Sequence, residues 1–147
     1  MKLKIAWIGK TKNAAIQSLT DDYLKRISRY ADVEGLSLAD ESALLKLMQK
    51  SGSRPAHTLV LLDSRGKTLA SEEFARFLQD HQDRNTPPLV LAIGPADGFS
   101  DVARQAASST ISLGKMTLAH ELARVVLLEQ VYRAFTILKG HPYHTGH

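Results

Sequence analysis

LVLAIGPADG, residues 89–98, is the stretch on which the fold turns. Leu89 to Ile93 is apolar at every position rather than at every second one, as in a strand of a parallel sheet covered on both faces. The residues after it, Gly94 to Gly98, form a glycine-bearing loop, and Pro87-Pro88 break structure just before it. Working backward, HTLVLL (57–62) is a second run of the same kind, followed by a polar turn, DSRGK (63–67). Between the two runs, Phe74, Phe77 and Leu78 mark the buried stripe of a helix over 71–81, with Ser71 as its N-cap.

The same alternation extends in both directions. Toward the start, Leu3 to Ile8 is a strand ending at Gly9, and Thr11 to Tyr30 is a helix with Ile16, Leu19, Tyr23, Ile27 and Tyr30 spaced three or four apart. A weaker strand over 33–38 follows. A short helix over 39–50 is then ended by Ser51-Gly52-Ser53. Beyond residue 98, a helix over 101–107 and a strand over 110–113 precede one long helix, 117–138. Strands alternating with helices imply an α/β fold, a mostly parallel sheet flanked by helices on both sides, with no sign of a second domain or a repeat.

Composition narrows the function. The chain has 147 residues, 44% apolar and 23% charged, and no cysteine. Thiolate nucleophiles, disulfides and thiolate metal sites are thereby excluded, and a reducing, cytoplasmic setting is expected. No apolar stretch is long enough for a membrane span, and Met1 to Gly9 reads as a strand rather than a leader. A net charge of +4 suits a polyanionic partner without requiring one.

In open parallel sheets ligands bind beyond the carboxyl ends of strands, which selects the loops after Leu62, Ile93 and Leu113. The loop after the first strand, Gly9-Lys10-Thr11-Lys12, lacks the dinucleotide fingerprint, and Gly94 to Gly98 has no following Lys-Ser/Thr. His120-Glu121 begins like a zinc-protease motif, but Arg124 occupies the second ligand position. Pro142 prevents a helix from aligning His141, His144 and His147, so no metal site is expected. The last helix is apolar on more than one face, with Leu122, Val125, Val126, Leu127, Leu128, Val131, Tyr132 and Phe135. It is either central in the core or, the reading favoured for so short a chain, shared with a second subunit. Glu129 and Arg133, four apart, read as an ordinary ion pair.

Three segments occurring in order carry a resemblance: IGPADGFS (93–100), ISLGKMTLAH (111–120), and the helix through Arg124, Glu129, Tyr132 and Arg133 ending in His141-Pro142-Tyr143-His144. Together they resemble the ribosomal RNA large-subunit methyltransferase H family, pseudouridine N3-methyltransferases of the SPOUT superfamily. The resemblance implies a single SPOUT domain over 1–147 with a C-terminal trefoil knot, although chains generally avoid knots. It implies a homodimer whose active site uses both subunits, and 23S ribosomal RNA within the ribosome as substrate. S-adenosyl-L-methionine would be the methyl donor, held by Leu62, Gly94, Leu113, Gly114, Lys115, Met116, Thr117 and Leu118. Arg124, Tyr143 and His144 would approach the target nucleotide, Arg124 as the cation favouring an ionised N3. Lys10, Lys12, Arg26, Arg29, Lys115, Arg133 and Lys139 are candidate RNA contacts. The chain departs from the family pattern at Pro95, at Ala119 and in its last residues, Thr145-Gly146-His147. Two other readings share parts of this pattern: a knotted methyltransferase acting on another RNA such as tRNA, and a non-catalytic dimeric ribosome binder.

Overall fold

A computed structural model describes residues 1–49, 57–84, 87–95 and 97–145. The expected helix end at Lys50 and Ser51-Gly52-Ser53, Ala96 of the glycine loop, and Gly146-His147 lie outside the described residues. The elements alternate as β1 (Lys2–Ile8), α1 (Ala14–Ile27), β2 (Asp32–Leu38), α2 (Glu41–Leu47), β3 (Thr58–Thr68), α3 (Ser71–Asp83), β4 (Leu89–Ile93), α4 (Asp101–Ala106), β5 (Ser109–Ser112) and α5 (His120–Leu138).

The five strands form one sheet in the order β2-β1-β4-β3-β5, and every pairing is parallel. The central β4 is buried at all of its positions, as its unbroken apolar run requires. Helices α1, α3 and α5 cover one face, where Ile27, Phe74, Leu78, Leu127, Val131 and Phe135 meet Leu3, Ile5, Leu89 and Leu91 of the sheet. Helices α2 and α4 cover the other, through Leu44 and Ala103 against Leu59, Leu61 and Val90. No described helix is long and apolar enough to cross a membrane.

Helix starts are set by side-chain caps. Asn13 Oδ1 accepts from the Ala15 N–H at 2.8 Å, Asp40 from the Ala43 N–H at 2.9 Å, and Ser100 caps α4 in the same way. α1 therefore begins at Ala14, not Thr11. Ser71 is the first residue of α3 rather than its cap: Ala70 holds that position, its N–H bonded to Glu73, while the Ser71 hydroxyl donates to Gln130 Oε1 at 2.7 Å. Leu19 is not on the buried stripe of α1 but 43% exposed. Thr20 takes the inward position, its hydroxyl satisfied by the Ile16 carbonyl at 2.7 Å.

The segment read as a polar turn after Leu62 does more than turn. Leu62 and Lys67 both pair with Ile111, so the chain bulges out of β3 at 63–66 and returns to the same neighbour. At Gly66 a Cβ would stand 2.7 Å from the backbone of Thr110 and Ile111, so only glycine lets the two backbones pass. α5 then runs back between α1 and α3. This path is consistent with a C-terminal knot.

Candidate active site

The bulge of β3 that begins after Leu62 and the carboxyl ends of β4 and β5 bound a cleft of about 400 Å³. Of the eight residues expected to hold the donor, Leu62, Gly94, Leu113, Gly114, Met116, Thr117 and Leu118 line it. Lys115 does not; it is exposed. The cleft also takes in residues that the sequence did not assign to the donor, among them Asp63, Arg65, Phe99, Ser112, His120 and Ala123. The strand-end rule pointed to these loops, and Asp63 follows the last apolar residue of β3 directly.

Each loop is held by a local device. A Cβ on Gly94 would meet the Phe99 ring at 2.9 Å, so this glycine admits the aromatic side chain that closes the loop on itself. Gly98, at φ +84°, donates its N–H to the Pro95 carbonyl at 2.9 Å. Gly114, at φ +137°, faces open space, and its N–H and C=O are both bonded to the Ser112 hydroxyl. Asp63 anchors the floor: its carboxylate accepts from the Arg65 N–H at 2.9 Å and from Arg104 Nη2 at 2.9 Å. Burial pushes the Asp63 pKa up, but these hydrogen bonds and the two arginines outweigh it and hold the carboxyl below its usual range. Glu41 of α2 accepts from both the N–H and the hydroxyl of Ser100, fastening the far end of the glycine loop.

The three expected catalytic residues lie elsewhere. Arg124 is fully buried on the first turns of α5, its guanidinium 4.3 Å from the Trp7 ring centroid and Nη1 donating to the Thr11 hydroxyl. Nε and Nη2 have no partner. Burial lowers its pKa, opposed by the nearby Glu121. Glu121 forms no ion pair with it; its Oε1 accepts the backbone N–H groups of Lys12 and Asn13 at 2.8 and 3.3 Å. His120 and Ala123, which flank Arg124 on the same helix, line the cleft.

Tyr143 and His144 fold back on the far end of α5. The Tyr143 ring packs edge-on against Tyr132 at 4.8 Å and its hydroxyl donates to Glu129 at 3.1 Å. Burial, then hydrogen bonds with Tyr23 and Glu129, raise its pKa. His144 Nδ1 accepts from Arg133 Nη1 at 3.0 Å and its Nε2 donates to Glu72 at 2.8 Å, so both ring nitrogens are engaged. Tyr132 lies about 18 Å of helical rise beyond His120. The structure therefore does not bring the tail residues to the cleft of their own chain. Of the candidate RNA contacts, Lys10, Lys12, Arg29, Lys115 and Lys139 are exposed. Arg26 is paired with Asp22 at 3.2 Å and Arg133 with Glu129 at 2.6 Å. Among the described residues no group of three or more His, Cys, Asp or Glu side chains could hold a metal ion.

The family described as "Predicted SPOUT methyltransferase" matches residues 1–144. Ribosomal RNA large subunit methyltransferase H of Koribacter versatilis (strain Ellin345) is 58% identical over 147 residues, covering all of both chains. The chain belongs to this methyltransferase H family. A second relative of the same name, from Geobacter sp. (strain M21), is 43% identical over 98% of this chain and 99% of its own. A solved structure, the SpoU methyltransferase AviRb from Streptomyces viridochromogenes in complex with the cofactor AdoMet, superposes with a TM-score of 0.51 at 14% identity. It covers 90% of this chain and 57% of AviRb, so a methyltransferase H chain carries the SpoU-type sheet and helices in little more than half that length.

Within the methyltransferase H fold, the apolar stripe of α5 is used mainly inside its own chain. Leu127, Leu128, Val131, Tyr132, Ala134 and Phe135 are buried between α1 and α3, the central-helix alternative of the two the sequence allowed. Leu122, 45% exposed, and the half-buried Val125 stand outside that packing, while the half-buried Val126 borders a second pocket with Leu69, Phe74 and Ile111.

Proposed function

We propose that this SPOUT domain, residues 1–147, is a cytoplasmic homodimer that uses S-adenosyl-L-methionine to methylate N3 of a pseudouridine in 23S ribosomal RNA on the assembled ribosome. The observation that carries the reading is the cleft at the β3 bulge and the ends of β4 and β5, lined by seven of the residues the family motif assigns to the donor. Its volume of about 400 Å³ falls among small-molecule sites, roughly 300–1,000 Å³. Its walls of Leu62, Ile93, Leu113 and Leu118, interleaved with glycine loops, suit an apolar ring with a polar edge. The bound donor supplies a methyl group on a sulfonium, open to in-line displacement.

This chain's contribution is then placement and electrostatics. The loops that begin after Leu62 and Ile93 and the stretch Leu113 to Leu118 hold the donor, and Asp63 with Arg104 keeps the floor in shape. N3 of the target is an imide nitrogen that attacks only after losing its proton to solvent; its new bond to the methyl carbon breaks the bond to sulfur and releases S-adenosylhomocysteine, and a cation nearby favours the N3 anion. Arg124 is that cation in our reading. It stands one helical turn from cleft-lining His120 and has no carboxylate partner to cancel its charge. Tyr143 and His144 are assigned to orienting the target nucleotide. Because they sit at the far end of α5, the cleft they serve belongs to the second subunit. Leu122 and Val125 of α5 are apolar side chains left for that contact.

The experiment is to incubate the protein and labelled S-adenosyl-L-methionine with intact ribosomes lacking the modification, and with naked ribosomal RNA. Nucleoside mass spectrometry then identifies the product. Label in N3-methylpseudouridine on intact ribosomes is the expected result. Label only in another RNA, or donor binding without any label, refutes the substrate assignment.

A further inference from the structure

Among the described residues, four buried side-chain nitrogen or oxygen atoms lack a hydrogen-bond partner: Trp7 Nε1, His120 Nε2, and Nε and Nη2 of Arg124. They belong to three residues in one neighbourhood. Arg124 stacks on Trp7 at 4.3 Å, and His120 lies one turn before Arg124 on α5. Idle buried polar groups are rare and call for an explanation, because each has given up water for nothing in return. Nε–H and the adjacent Nη2–H share one edge of the guanidinium plane, the two-pronged edge that grips acceptor-rich groups. The opposite nitrogen, Nη1, is bonded to Thr11. The guanidinium is thus fixed from behind, by an indole face and a hydroxyl, while its gripping edge stays unspent.

We propose that Thr11 and Trp7 are positioning residues for the reaction: they aim the Nε–Nη2 edge of Arg124 at the carbonyl-rich edge of the target base. This rests on the role given above to Arg124. The holding groups come from the opposite end of the chain, β1 and the loop after it, so their aim depends on that loop staying docked. The Glu121 carboxylate supplies the docking through the Lys12 and Asn13 N–H groups, and it is the charged group nearest Arg124, with His120 beside it. Neutral holders leave the cation's charge intact; a carboxylate in their place would have quenched it.

The test compares Thr11→Val, Thr11→Ser and Arg124→Ala in the full-length protein. Single-turnover methylation of ribosomes is followed across pH, and S-adenosylhomocysteine binding is followed by calorimetry. Thr11→Val should slow single turnover about tenfold, the scale of a misaimed group. Its rate–pH curve should move to higher pH, since a poorly aimed cation stabilises the N3 anion less. The KM for ribosomes and S-adenosylhomocysteine binding should stay within about twofold, and Thr11→Ser should restore the wild-type rate and curve. An unchanged rate in Thr11→Val, an equal defect in Thr11→Ser, or lost S-adenosylhomocysteine binding would overturn the proposal. If Arg124→Ala is inactive while Thr11→Val is normal, only this inference falls. If Arg124→Ala methylates normally, both it and the role of Arg124 fall.

Discussion

The two ends of α5 each carry an arginine, nine residues apart, and treat it in opposite ways. Arg133, at the carboxyl end, spends Nε and Nη2 on Glu129 and Nη1 on His144, and lies over the Tyr143 ring at 4.9 Å. Arg124, at the amino end, is the more deeply buried of the two and uses one nitrogen of three. A buried cation left unpaired is normally selected against on stability grounds. The contrast is in the pairing: Glu129 and Arg133 build a socket that holds Tyr143 and His144, whereas Arg124 leaves Nε and Nη2 buried without a hydrogen-bond partner, the state that the role proposed for it would require.

The largest expected effect comes from removing the unpaired arginine. Arg124→Met should reduce single-turnover methylation at least about 100-fold, as loss of one charge-stabilising group does. Its denaturation midpoint should stay level or rise, by about 1 kcal/mol in equivalent stability, because an unpaired buried charge is gone. A large loss of stability would erase the contrast between the two ends, making Arg124 another structural pair.

Mixing subunits asks whether the two ends work on one site. Arg124→Ala and Tyr143→Ala, each inactive alone, should recover about a quarter of wild-type activity after random exchange, since half of the dimers then hold one intact composite site. No recovery despite exchange, checked by native mass spectrometry, would return the tail to its own chain.

A moderate effect is expected at the socket. Glu129→Gln should cost about 1–2 kcal/mol in urea unfolding, a value between exposed and buried pairs for side chains 16% and 20% exposed. It should also slow methylation by loosening Tyr143, and a stability loss without a rate change would confine Glu129 to folding.

The smallest effect concerns the cleft floor. The Asp63 carboxyl is held below its unfolded value of about 4. The stability it contributes is therefore complete above that pH and is lost as pH falls through the lower folded value. Asp63→Asn should lose about 1 kcal/mol at neutral pH and show a flatter acid limb in thermal melts. An unaltered acid limb would mean that Arg104 holds the floor without it.

The parts of this design legible in the sequence are those written in adjacent residues. LVLAI maps onto β4 without a shift, and the three strand-end loops picked from it converge on the cleft. Periodicity misplaced helix starts because caps such as Asn13 and Asp40 are single polar residues with no period. It read 63–67 as a turn only, since nothing in a polar stretch tells a strand that rejoins its partner from one that ends. The setting of Arg124 was out of reach for another reason. Thr11 lies 113 residues away in sequence, and only the folded chain shows that Glu121 is already occupied.

The slot that α5 fills has a consequence for biosynthesis. Its walls on α1 and α3, including Ile27, Phe74 and Leu78, are complete before the helix that fills it has been made. At roughly 5–20 residues per second, the stretch from the end of β4 to the end of α5 takes about 2–9 s to synthesise. A chain halted in that interval holds Ile27, Phe74 and Leu78 without the helix that packs on them, and apolar side chains without their cover are what makes incomplete chains aggregate. The core on this face of the sheet therefore closes only once α5 has been made, and a stall anywhere in 94–138 is expected to leave an aggregation-prone product, which sedimentation of the released fragment would show.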